Sequence, residues 1–556
     1  MVKKKGIPKD SDILIVGAGI AGLYSAWRLK NKNPNRSIAI VDRLDRVGGR
    51  LNTDIIQVPD PTGTGVATIR EEEGGMRFNY SMEELMALFA ALELCGEVVP
   101  FPMNGDNNRY YVRGRSFTRK EAEADNYAIW KELFNLKPAE QNIDPVSILT
   151  NAYHQILSHN EINTPTDKPT PEYWQHFRLN YTWKKVPLYK WQLWGLLRSM
   201  GYSEECIMML THSLGFEGPF LSWMSAGEAF QLMEDFPKNP TYYTFRNGFS
   251  ILPNALVDRL EEMGVSIHLG HNLDRLEKVK DGYELTLTEA PEGESSSPFI
   301  PDGKQETVRA KKVILAVARK ALENLYNTSS ALNDQPNATQ LWQDLQTTTD
   351  QVLLKINLYY EEPWWENGLT GQPPIKFGPS FTDLPAGSVY PFYSISGLPY
   401  NSAAALTVYC DYNNANFWRG LQNLPPLFHS ELQGLHSKKP QTLFAASEAV
   451  VEEITRQFKE IFKTHYVPRP VLTSYRSWDG EDDFGFAVHQ WAVNAKDDEV
   501  MERLEEPVAG IYTCNEAYSD MQGWVNGSLR SADRMLQRFG IDPLVEKQVF
   551  CQPPLM

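Results

Sequence analysis

The segment EEEGGMRFNY, Glu71 to Tyr80, sets one arginine, Arg77, directly behind a Gly74-Gly75-Met76 turn. A guanidinium is a planar fork that matches a carboxylate prong for prong. Buried without an anion it is costly, so Arg77 implies either an anionic ligand or an internal partner among Glu71, Glu72 and Glu73. A second unusual cation is Lys355, in the alternating apolar run VLLKINLYY (352–360). A lysine directed inward from an apolar strand is expensive. Lys355 is therefore either functional or simply on the solvent side of the alternation.

The elements that could position such groups begin near the N-terminus. SDILIVGAGIAGLYSAWRL carries a buried-strand run, Ile13 to Val16, and then Gly17, Gly19 and Gly22 in G-x-G-x-x-G spacing. Gly17 allows the tight turn, Gly19 lets a pyrophosphate approach the backbone, and Gly22 lets the following helix pack on the strand. That helix offers phosphates its unpaired N–H groups and positive dipole end. A second strand, SIAIVD, ends at Asp42, 20 residues after Gly22, where an acid accepts ribose hydroxyls. Strand, glycines, helix, strand and acid together predict dinucleotide binding; the alternative is a turn made by glycines alone. RLDRVGGRLNT then supplies a second flexible turn, Val47-Gly48-Gly49-Arg50. An extended flavin dinucleotide needs such a second anion-binding turn, which favours FAD over NAD, although Arg50 could also be a solvated surface residue.

The 556 residues carry a net charge of -16. This length exceeds one ordinary core, and the acidic balance argues against nucleic-acid binding. No run of about 18 apolar residues predicts a membrane helix. The basic start MVKKK precedes a strand and turn rather than a signal peptide, so a cytoplasmic location is expected. The five cysteines are scattered, with no CxxC pair; they read as reduced thiols, forming neither a disulfide nor a metal site.

The glycine segment, VDRLDRVGGRLNT and EEEGGMRF together resemble the flavin monoamine oxidase superfamily, and within it the L-amino-acid oxidases. FRNGFSILPNALVDRL (245–260), KKVILAVARKAL (311–322), VLLKINLYYEEPWWENG (352–368) and GIYTCNEAYSDMQGWVNGSLRSADRML (510–536) follow in the family's order. Two departures stand out: Asp42 replaces the commoner glutamate, and TCNE replaces xAGE. The resemblance implies FAD held non-covalently, since AYSDMQGW offers no cysteine for attachment. It assigns the cofactor to Gly17, Gly19, Gly22, Asp42, Arg43, Gly49, Arg50, Gly74, Gly75, Met76, Arg77, Leu273, Glu516, Trp524 and Val525. By the same resemblance Arg77 clamps the substrate carboxylate with the hydroxyl of Tyr390, and the carbonyl of Gly523 takes the amino group beside Trp524. Lys355 would hold a water against the flavin, and Arg77 and Lys355 together form the catalytic pair. For Tyr390 and Trp524, ordinary core packing is the competing reading.

The implied reaction is oxidation of an L-amino acid by dioxygen to a 2-oxo acid, ammonia and hydrogen peroxide. NRYYVRGRSFTRKE (108–121) resembles the branch acting on arginine and lysine. A basic side chain would need an acid or an aromatic face, and Glu481, Asp482, Asp483, Asp520, Trp491 and Trp524 are the candidates. The expected fold is α/β. A discontinuous Rossmann-like FAD domain of the GR2 type (5–80, 240–330, 466–545) joins a helical domain (120–235) and a mixed-sheet substrate domain (331–465). EAPEGESSSPFIPDG (289–303) reads as a long hairpin loop and the tail EKQVFCQPPLM as loosely ordered. A homodimer is expected, and no membrane partner. The alternatives are an L-amino-acid monooxygenase, an amine oxidase of the same superfamily, or a non-catalytic flavin-fold binding protein.

Overall fold

The computed structural model describes residues 6–59, 66–166, 168–234, 241–289, 303–366, 371, 373–394, 403–430, 445–480, 485–547 and 549–552. Its first sheet grows from β1 (Asp10–Val16), buried from Ile13 onward as befits a strand covered on both faces. The chain turns at Gly17, whose φ of +109° suits glycine. It enters helix α1 (Ile20–Lys32) and returns as β2 (Ile38–Asp42), parallel to β1 with Val16 beside Val41. A Cβ on Gly22 would stand 2.0 Å from the Gly17 carbonyl oxygen. Gly22 is therefore the packing glycine of the motif.

Ser266–Leu269, β2, β1 and Gln305–Leu315 lie side by side in parallel. Gly282–Glu289 and His271–Val279 extend the sheet antiparallel, and Ile511–Thr513 adds a parallel strand beside the end of Gln305–Leu315. The last long helix, Val525–Gln537, is locked to α1 by buried polar groups. The Tyr24 hydroxyl donates to Asp533 at 2.7 Å and Arg28 Nη1 donates to the same oxygen at 3.1 Å.

From β2 the chain runs into an antiparallel pair, β3 (Thr53–Pro59) and β4 (Val66–Glu72). β4 delivers the Gly74-Gly75-Met76-Arg77 turn. A second sheet lies in the order Leu472–Trp478, Leu353–Tyr360, Ala404–Asp411, Ser388–Tyr393, Ser380–Thr382, Arg109–Val112, Arg115–Thr118. Between the sheets in sequence, helices including Pro145–His159, Pro171–Asn180, Glu204–Ser213 and Ala226–Glu234 close around Trp130, Trp174, Phe177 and Ile207.

Three expectations are corrected. The second sheet is not confined to 331–465, because it recruits Arg109–Thr118 and Leu472–Trp478, while Leu332, Leu341 and Leu345 pack in the core of the first sheet. Strand pairing between distant segments, invisible in local pattern, decides this. The cysteines are not all thiols: Cys95 and Cys551 form a disulfide with Cα atoms 5.4 Å apart. Only Cys206, Cys410 and Cys514 remain as buried thiols. The tail is anchored as far as residue 552 by the same bond: Cys551 is buried, and the Gln552 carbonyl accepts from the Tyr80 hydroxyl at 3.1 Å. Most of the 289–303 loop lies outside the described residues. Among the described residues no helix is long and apolar enough to cross a membrane.

Candidate active site

One cavity of about 1140 Å³ runs from the glycine turns of the first sheet to the second sheet and the helical region. Its first end is made mostly of backbone. Gly19 precedes α1 in extended conformation, and a Cβ built on it would meet nothing within 4 Å. Gly48 lies beside it, with its N–H on the Ala18 carbonyl at 2.9 Å. Gly48 and Gly49 both have positive φ (+95° and +58°). Two glycine turns thus abut and face the cavity with the N-terminus of α1, an arrangement suited to phosphates. Asp42, Arg43, Arg50, Leu273 and Val525 line the same space. Asp42 also ties its own turn, accepting from Ala18 N at 2.6 Å and Leu44 N at 2.8 Å. Burial pushes its carboxyl up despite these N–H groups.

The middle of the cavity is organised by Glu516. It accepts from Arg50 Nη1 at 2.7 Å, from the His489 backbone N–H at 3.0 Å and from the Gly523 N–H at 2.8 Å, with His489 Nδ1 3.0 Å away. Burial alone would raise this carboxyl, but Arg50 and His489 hold it well below the usual range. Glu516 thereby orients the Gly523-Trp524 turn, in which Gly523 has φ +81°. Trp524 stacks on Tyr242 with centroids 6.2 Å apart and planes 16° apart.

At the far end lies the EEEGGMR segment. Glu71 accepts from the Tyr359 and Ser474 hydroxyls. Glu72 accepts from Thr53 Oγ1 at 2.8 Å and Phe249 N at 3.0 Å, and Glu73 pairs with Arg476 at 2.5 Å. Each glutamate thus has partners of its own. Gly74 passes so close to Arg50 that a Cβ would stand 1.9 Å from its carbonyl oxygen, so the turn tolerates no side chain there. Beyond it Met76 and Arg77 line the cavity. Arg77 is buried, hydrogen-bonds Tyr390 and lies 5.0 Å from the Tyr242 ring centroid. Burial pulls its pKa down, but Tyr390, Tyr242 and Tyr409 more than offset this.

Lys355 points inward. It is buried, its Nζ donates to the carbonyls of Glu72 at 2.6 Å and Gly74 at 2.8 Å, and it stands 5.2 Å from the Tyr409 ring centroid. Burial, partly countered by Glu72 and Glu71, lowers its pKa to about 8.

Two expected side-chain contacts are not at the cavity. Asp520 is gripped by Arg530 at 2.8 and 2.6 Å; Arg530 outweighs the effect of burial and holds its carboxyl low. Trp491 packs in the core of the first sheet and donates to the Ser519 carbonyl at 2.9 Å. Neither is among the cavity-lining residues; nor is Tyr390, which meets the site through Arg77. Buried side chains with long reach found internal partners, which loop position alone does not disclose. Glu481, Asp482 and Asp483 lie outside the described residues, although Gly480 and Gly485 on either side line the cavity. Sequence reasoning overlooked Tyr242, Tyr409 and His489. For Tyr409 a signal existed: AAALTVYCDY alternates as a strand, and its register sets Tyr409 beside Lys355.

Residues 20–536 match the model of the flavin containing amine oxidoreductase family. The chain belongs to that family. Among its relatives, an uncharacterized protein of Acanthamoeba polyphaga mimivirus is 22% identical across 97% of this chain and 96% of its own. Achacin of Lissachatina fulica is 25% identical across 84% of this chain and 81% of its own. The structure of cyclohexylamine oxidase from Brevibacterium oxydans IH-35A covers 97% of this chain and 99% of that one, with a TM-score of 0.59 at 16% identity; at that identity it speaks for the fold.

Members of the family bind FAD, and the cavity fits it. The empty direction of the Gly19 Cβ and the paired glycine turns leave backbone N–H groups exposed to a phosphate. Asp42 at the end of β2 lies beside them for a ribose.

Proposed function

We propose that this chain oxidatively deaminates L-amino acids, yielding 2-oxo acid, ammonia and hydrogen peroxide, with a preference for basic substrates. The observation that carries the reading is Arg77, a buried guanidinium set among tyrosines in the cavity it shares with Lys355 and Trp524. Its fork takes the substrate carboxylate, and Tyr390 contributes its hydroxyl. The Gly523 N–H, committed to Glu516, holds the turn from which the next carbonyl, that of Gly523 itself, receives the amino group. Holding both groups at once orients the α-hydrogen, so positioning in a water-poor site supplies the acceleration. FAD, bound non-covalently, supplies the two-electron acceptor that dioxygen regenerates. Lys355 has three donors and uses two on carbonyls, which leaves one for a cavity water. The basic preference rests on the NRYYVRGRSFTRKE resemblance.

The test is anaerobic mixing of the yellow protein with L-arginine, L-lysine and L-leucine, and with agmatine and cadaverine. Bleaching by the amino acids and not by the decarboxylated amines is expected; the reverse would make the chain an amine oxidase without a carboxylate clamp. Trapping a decarboxylated amide in air would identify a monooxygenase. A peroxide profile led by leucine, methionine or phenylalanine would remove the basic preference alone.

A further inference from the structure

The floor of the cavity is a strand pair. Leu353–Tyr360 runs against Ala404–Asp411, with Lys355 beside Tyr409 and Leu353 beside Asp411. All four line the cavity. Alternate residues of a strand share a face, so Tyr409 and Asp411 face the same side. The step between them is about 6.6–6.8 Å, close to the reach of the four-carbon stem of a lysine. Tyr409 is the residue that meets Arg77 and Lys355. Asp411 therefore lies one side-chain length along the strand from the tyrosine that meets the clamp, and Phe216, edge-on to Tyr409 at 5.3 Å, adds an apolar wall to the same cavity.

Asp411 is 4% exposed. Its oxygens accept from Glu217 N at 2.9 Å and Gly218 N at 2.8 Å, and among the described residues no lysine or arginine pairs with it. Burial, with Glu217 nearby, pushes its carboxyl up to about 7 against those N–H groups. A second acceptor converges on the same point. Gln351 donates its amide to Thr349 Oγ1 at 3.0 Å, leaving Oε1 as an acceptor. A Cβ on Gly218 would lie 2.8 Å from Gln351 Oε1 and 2.9 Å from Asp411 Oδ2. Two buried oxygens, one from a carboxylate, thus both adjoin Gly218, and both residues line the cavity. Such a pair suits a donor-rich cation, which would relieve the burial of Asp411.

We propose that Asp411, with the side-chain carbonyl of Gln351, receives the distal ammonium or guanidinium of a basic L-amino acid whose carboxylate lies on Arg77. This subsite rests on the L-amino-acid reading above. The experiment titrates the flavin spectrum of the holoenzyme with 5-guanidinopentanoate and with hexanoate, which share the carboxylate and chain but differ in the cation. The unaltered enzyme should bind the guanidino acid at least tenfold more tightly. Asp411→Asn, which keeps the shape and an acceptor, should abolish that advantage, and Gln351→Leu should reduce it. Equal affinities in the unaltered enzyme, or an advantage that survives Asp411→Asn, would overturn the subsite. The unaltered enzyme decides even if the variants lose flavin. If L-amino acids bleach the flavin while the two acids bind equally, the subsite fails and the oxidase reading stands. If no L-amino acid bleaches it, both fall.

Discussion

The two ends of the cavity are built from different materials. The dinucleotide end is backbone: glycine turns, a helix N-terminus and one acid at a strand end. The far end is side chain: Arg77 among Tyr242, Tyr390 and Tyr409, and Lys355 against two carbonyls. A buried arginine elsewhere sharpens the contrast. Arg178, 1% exposed, lies between Asp497 and Glu228, and its charge is answered within the fold. Arg77 lies among phenols and lines the cavity. Backbone N–H groups point wherever the fold directs them, so they recognise what all dinucleotides share. Charged side chains recognise one ligand, and their value depends on what the surrounding fold leaves them to bind.

The strongest way to break this contrast is Arg77→Met. Losing a charge-assisted contact costs about 1.5–3 kcal/mol, more where the partner charge stays buried. Catalytic efficiency toward every L-amino acid should fall by about a hundredfold or more while the visible flavin spectrum persists. Near-normal efficiency in a peroxide-coupled assay would end the clamp assignment. Arg178→Met should instead reduce folding stability, because Asp497 and Glu228 would be left buried without their cation.

Lys355→Met comes next. Stopped-flow traces should show reoxidation by dioxygen slowed by roughly tenfold to a hundredfold, less than the roughly hundredfold to thousandfold of removing an oxyanion-hole donor, with reduction affected less. An unchanged reoxidation rate would make Lys355 structural. With its pKa lowered to about 8, the lysine is cationic below that pH and loses its proton above it. Reoxidation in the unaltered enzyme should therefore slow as pH rises through about 8. The methionine variant should lack that step.

The glycine end is tested by a pair of alanines with the smallest effects. Gly19→Ala places its methyl in the cavity, so it should leave the fold intact and weaken FAD by about tenfold, or 1.4 kcal/mol. Gly22→Ala collides with the Gly17 carbonyl and should lower the melting temperature of the protein itself. Equal loss of stability in both, with FAD affinity unchanged, would mean that Gly19 does not face the dinucleotide.

Much of this site was legible in residue order. The strand, glycine spacing and Asp42 sit within one βαβ unit, where local pattern and contact coincide. Arg77 and Lys355 stood out because a cation in an apolar or glycine-rich setting needs a reason. What only the tertiary structure decided is pairing over distance. Glu71, Glu72 and Glu73 adjoin Arg77 in sequence yet bond to Tyr359, Thr53 and Arg476. Asp520 went to Arg530, and Cys95 met Cys551 across 456 residues. Asp411 reached the cavity wall only because two strands registered Leu353 against it. Sequence determines which groups are costly to bury; the packing of remote segments determines which partners they meet.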